Sequence, residues 1–125
     1  MSEPVQDLKV RTKEFALRII RLYCALPKTT QAQVIGKQML RSGTSVGAQY
    51  REGHRARSNA EFISKLESAL QELEETVYWL ELLVDSQIIG KDRLLPLMKE
   101  ADELTAILVS SVKGAKKRGK GTEER

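Results

Sequence analysis

Apolar residues return along the chain every three or four positions, the period of a helix that buries one face. Over residues 5–26 the stripe is Leu8, Thr12, Phe15, Ile19, Leu22 and Leu26, widened by Ala16, Ile20 and Tyr23. Pro27 stops this first helix, because its ring removes a backbone donor and clashes with the preceding turn. Thr30 and Gln33 read as a capping box that starts a second helix, with Ile35, Met39, Ser42, Val46 and Tyr50 along its apolar face. Ser58 and Glu61 form a second capping box. It opens a third helix with the cleanest seam in the chain: Ile63, Leu66, Leu70, Leu73, Val77, Leu80 and Val84. This helix is expected to run for about 29 residues, or about 43 Å, with Gly90 as its C-terminal cap. Asp92 is placed to cap a fourth helix, although Pro96 shifts the expected start later. Its face is Leu94, Leu97, Ala101, Leu104, Leu108 and Ser111, and it is expected to fray near Gly114.

Four long amphipathic helices with short connections predict an all-α fold, an antiparallel up-down-up-down four-helix bundle over residues 1–113. Residues 114–125 lack apolar anchors and are expected to be a disordered basic tail. The second helix is rich in small residues: Gly36, Ser42, Gly43, Ser45, Gly47 and Ala48. Glycine costs about 1 kcal/mol relative to alanine inside a helix, so this face implies close approach of a neighbouring helix. A phosphate-cradling loop is rejected because no Gly-Lys-Ser/Thr signature follows. The third helix carries more apolar surface than one core needs. Trp79, Leu82 and Leu83 are therefore expected at a subunit interface of a homo-oligomer.

The length of 125 residues fits one domain. No apolar run approaches the ~20 residues of a membrane span, and the first residues lack a signal-peptide pattern, so a cytoplasmic location with no membrane partner is expected. One cysteine and one histidine leave no material for a disulfide framework or for Cys- or His-rich metal sites. The Glu-x-x-His pattern of di-iron bundles is missing. Glu67, Glu72, Glu74, Glu75 and Glu81 read as a solvated or salt-bridged face. Cys24, beside an apolar seam, is expected as a small core residue, and His54 as a surface residue at a helix end. Neither catalysis, a cofactor nor a small-molecule substrate is expected.

Charge changes the picture. Residues 1–60 carry eleven basic and four acidic side chains, and residues 61–112 carry four basic and eleven acidic. The last stretch adds Lys113, Lys116, Lys117, Arg118, Lys120 and Arg125 against Glu123 and Glu124. Two readings stay open. The halves attract one another, within a fold or between copies, or the basic half and tail face an anionic partner. The densest cluster is Arg51, Arg55 and Arg57, with Arg41 about three turns earlier. Arginine forks match phosphate geometry. Arg41, Arg51, Arg55, Arg57 and the tail residues Lys113, Lys116, Lys117, Arg118 and Lys120 are thus the candidate contacts to RNA or DNA. Pairing with the acidic helices is the alternative. Few aromatic residues are available to stack on bases, so any binding is expected to be electrostatic and salt-dependent.

The run Arg41-Ser-Gly-Thr-Ser45-Val-Gly-Ala-Gln-Tyr-Arg-Glu52-Gly53, with Ser58-x-x-Glu61-Phe62 and Glu72-x-x-Glu75-Thr76-x-x-Trp79-Leu80, resembles the four helix bundle protein family. That family includes proteins encoded within intervening sequences of bacterial 23S ribosomal RNA genes, also labelled S23 ribosomal proteins. The chain also looks related to the accessory variability determinant proteins of diversity-generating retroelements. The resemblance covers roughly residues 8–112. It implies a barrel-like homopentamer and, in the accessory branch, binding of nucleic acid and a reverse transcriptase. It marks Arg41, Ser45, Glu52 and Gly53 as signature positions, with Ser45 and Gly53 structural and Glu52 paired to a neighbouring arginine.

Overall fold

The computed structural model describes the backbone of residues 4–123 and the side chains of residues 8–119. It contains four helices: α1 (Pro4–Ala25), α2 (Thr30–His54), α3 (Asn59–Asp85) and α4 (Lys91–Glu123). No strand occurs among the described residues. Each helix packs on its neighbours in sequence, α4 closes back on α1, and α2 against α3 is the most extensive pairing. The α1–α4 seam is the sparsest. Successive contacts run in opposite directions. Along α2, Gly36 meets Leu26, Gly43 meets Ile19 and Gly47 meets Thr12. Arg41 and Gly53 then reach back to Glu75 and Leu66 of α3. The bundle is antiparallel, and the starts of α1 and α3 share one end with the finishes of α2 and α4.

The small face of α2 sets the spacing of the bundle. A Cβ on Gly43 would lie 2.8 Å from Ile19, and one on Gly36 would lie 2.6 Å from Leu26. Both are closer than side chains tolerate, so α1 seats on bare backbone. On the other side of α2, buried Ser42 meets buried Thr76 at 2.8 Å. Thr76 also bonds the Glu72 carbonyl at 2.8 Å. With the Thr76 proton on that carbonyl, Ser42 donates to Thr76 and neither hydroxyl is left unsatisfied.

This pairing rotates α3 relative to the seam read from sequence. The fully buried line is Leu66, Ala69, Leu73, Thr76, Leu80 and Leu83, whereas Ile63, Leu70, Val77 and Val84 are only partly buried. Thr76 faces inward to meet Ser42 of α2, and Ala69, two turns earlier on the same face, is buried with it. One consequence corrects an expectation. Leu83 is fully buried within the protomer and belongs to its core, not to a surface between subunits. Trp79 and Leu82 are half-buried.

Other local expectations also shift. The cap of α2 is Thr29, one residue early, whose hydroxyl accepts from the Ala32 amide. Gln33 instead donates to the Pro27 carbonyl at 2.9 Å, and its side-chain oxygen accepts from Tyr23. Ser58 caps α3 as expected, accepting from the Glu61 amide at 3.1 Å. At the far end of α3 the left-handed residue is Gln87 (φ 63°), not Gly90. Ile88 N–H bonds the Leu83 carbonyl and Gln87 N–H that of Val84, the paired bonds of a Schellman turn. The fourth helix begins at Lys91, with Asp92 inside its first turn and Pro96 accommodated within the helix. Cys24 is exposed rather than a core residue, because it lies off the line Phe15–Ile19–Leu26 that faces inward. His54 is exposed at the end of α2, stacked on Tyr50 at 6.5 Å.

The largest correction concerns the tail. The fourth helix does not fray near Gly114 but continues to Glu123. Ala115 is buried and extends the stripe of Leu108 and Val112 by one turn. Asn59 at the start of α3 donates to the Ala115 carbonyl at 2.8 Å, and Lys116 pairs with Glu67 at 3.2 Å. One alanine suffices because the start of α3 is there to receive it.

Candidate nucleic-acid interface

The antiparallel order brings two basic segments that are far apart in sequence to one end of the bundle. The finish of α2 supplies Arg51, and the turn after it supplies Arg55 and Arg57. The finish of α4 supplies Lys113, Lys116, Lys117 and Arg118. The start of α1 adds Lys9 and Lys13, which the sequence reading did not single out. Lys9, Arg51 and Arg55 line a depression of about 200 Å³. Lys13 and Arg51 border an adjoining one of about 320 Å³, floored by Ala16, Gly47 and Ala48. Arg51 is common to both, so the two basic depressions lie side by side along the α1–α2 seam. The signal for Lys9 and Lys13 was present in their spacing, one turn apart on one face. Their proximity to Arg51 required knowing that α1 runs against α2.

The side chains of Lys9, Lys13, Arg51, Arg55 and Arg57 have no ion-pair partner among the described residues, although Arg57 donates its backbone amide to Glu61. Lys113 and Lys117 are likewise without one. Lys116 is engaged by Glu67, and Arg118 lies back along α4 toward Gly114. The side chain of Lys120 lies outside the described residues. No group of acidic, histidine or cysteine side chains that could hold a metal is present among the described residues, and none of the described helices is long and apolar enough to cross a membrane.

Arg41 is not brought to this end. It sits midway along the bundle, bonded to Glu75 at 2.7 Å and to Glu72 at 3.3 Å. The hydrogen bond to Glu75 and the charge of Glu72 raise its already high pKa further. The signature positions share this structural character. Ser45 bonds the Arg41 carbonyl at 2.7 Å. Gly53 admits Leu66, whose side chain would lie 2.7 Å from a Cβ there. Glu52 pairs with Lys65 at 3.3 Å rather than with an arginine. Arg41 with Glu72 and Glu75, Ser42 with Thr76, and Gly53 with Leu66 together form the α2–α3 seam, so the motif that is most recognisable in sequence builds the fold.

The family profile described as 23S rRNA-intervening sequence protein matches residues 6–110. The chain belongs to this family. Among solved structures it is similar to a protein of unknown function from the S23 ribosomal protein family of Bacteroides thetaiotaomicron. The two are 40% identical with a TM-score of 0.84, over 89% of this chain and 99% of the other. No curated protein matches significantly. The family match ends at residue 110, so the last turns of α4, which supply Lys113, Lys116, Lys117 and Arg118 to the basic end, lie beyond it.

Proposed function

We propose that this family member is a non-enzymatic, homo-oligomeric scaffold that binds RNA or DNA through the basic end of its bundle. The observation that carries the reading is the pair of depressions along α1 and α2, where Lys9, Lys13, Arg51 and Arg55 converge without carboxylate partners among the described residues. Unpaired guanidinium groups are free to fork onto phosphates, and the finish of α4 extends the same positive surface. A ring of such ends in a barrel-like homopentamer would turn weak single contacts into an avid one. The resemblance to retroelement accessory proteins makes structured RNA the first probe and a reverse transcriptase a candidate protein partner, in the cytoplasm.

A second reading, a structural or protein-binding oligomer, draws on the ion pairs that join the two charge halves inside one protomer: Arg41 with Glu72 and Glu75, and Arg11 with Glu100 and Glu103. Titration of structured RNA and duplex DNA at two salt concentrations separates the readings. The combined change Arg51→Gln, Arg55→Gln and Arg57→Gln is expected to weaken binding by about tenfold or more and to flatten its salt dependence. Arg41→Gln is expected to leave binding unchanged. A chain ending at Val112 is expected to bind more weakly. Undetectable binding by the full chain at low salt would leave the protein-binding oligomer.

A further inference from the structure

At the opposite end of the bundle the α1–α4 seam opens into a second depression of about 200 Å³. Three arginines line it, Arg18 and Arg21 of α1 and Arg93 of α4. Its remaining lining is Leu22, Ala25, Leu94 and Leu97, of which Leu94 and Leu97 belong to the core. Further along the same seam the charges are matched, since Arg11 forks onto Glu100 at 2.7 and 3.1 Å and reaches Glu103 at 3.2 Å. Two turns on, that matching stops. Two arginines of α1 and one of α4 line the same depression, and none of the three has an ion-pair partner among the described residues. Glu14, one turn before Arg18, and Asp92, beside Arg93, pair with none of them.

Like charges set against one another across a seam cost energy unless an anion lies between them. The apolar floor increases both the cost and the gain, because it keeps water from screening that side. We infer that this depression is an oxyanion site that takes a phosphate group. A carboxylate carries one negative charge and suits one fork. A phosphate monoester carries nearly two, with three strong acceptor oxygens that three forks can share. The volume equals that of roughly six waters, which leaves room for part of an ester body over Leu22, Leu94 and Leu97. Two sources offer this group, a small phosphate ester such as a nucleotide or the backbone of a nucleic acid.

The site shares no residue with the two basic depressions of the α1–α2 seam, so it stands or falls separately from the proposal above. The test uses the full chain, with inorganic phosphate, adenosine 5′-monophosphate and an RNA oligonucleotide lacking a terminal phosphate as probes, followed by calorimetry. The combined change Arg18→Gln, Arg21→Gln and Arg93→Gln is expected to weaken at least one probe by about tenfold or more. Arg93→Lys, which keeps the charge and loses the fork, should give a smaller loss and guards against a folding defect in the triple variant. Lys37→Gln, an exposed cation on α2 outside both depressions, should leave binding of the small probes unaltered. Loss confined to phosphate and the mononucleotide assigns the site to small esters, and loss confined to the oligonucleotide assigns it to a nucleic-acid backbone. If no probe responds to the Arg18, Arg21 and Arg93 changes, the inference is overturned.

Discussion

At the scale of single residues, this protein is governed by what α2 leaves out. Gly43 has no side chain where Ile19 of α1 must sit, and a Cβ there would lie 2.8 Å from it. Gly43→Ala, which in an exposed helix would stabilise, is therefore expected to cost about 1–3 kcal/mol through overpacking. A denaturant melt measures it, and an unchanged midpoint would mean that α1 can retreat freely. The sequence showed that the glycines line one face. It did not show which partner each one admits, because that depends on the axial register of two helices and not on local propensity. Cys24 and Arg41 illustrate the same limit. Cys24 fits the core by its place beside an apolar seam yet is exposed, and of the two readings open for Arg41, phosphate contact or pairing with an acidic helix, only the register of α2 on α3 selects the pair with Glu72 and Glu75.

At the scale of elements, the helices follow from periodicity, while their ends follow from particular turns. Ser58 is legible as a cap because its side-chain oxygen can reach a free amide of the first turn, here that of Glu61. Gln87 is not legible, since it carries the left-handed turn despite the strain a Cβ brings there. Gln87→Gly is expected to stabilise the fold by about 0.5–1 kcal/mol, read as a raised melting temperature. No rise would show that the Gln87 side chain contributes a compensating contact. The finish of α4 was equally hidden. Its turn from Leu108 through Val112 to Ala115 looks weak alone, and it is held by Asn59 and Glu67 of α3. Whether a weak segment is helix is decided by the surface it lies on.

At the scale of the whole molecule, the two charge halves are stitched across both the α2–α3 and α1–α4 seams, and part of the positive surplus gathers at one end. The apolar surplus of α3 resolves differently from the sequence reading, because its rotation buries Leu83 completely. Leu83→Asp is accordingly expected to abolish the cooperative helical melt by placing a charge in the core. Sedimentation and circular dichroism together distinguish this from a folded monomer released from an oligomer, and a folded monomer would return Leu83 to the subunit interface. The sequence by itself determined the number of helices, their approximate spans and their antiparallel order, since period, caps and short connections are local properties. Only the tertiary structure decided which face of α3 turns inward, how far α4 extends, and which cations stay free. Those depend on the depth to which neighbouring helices approach, and that depth is set jointly by side chains distant in sequence.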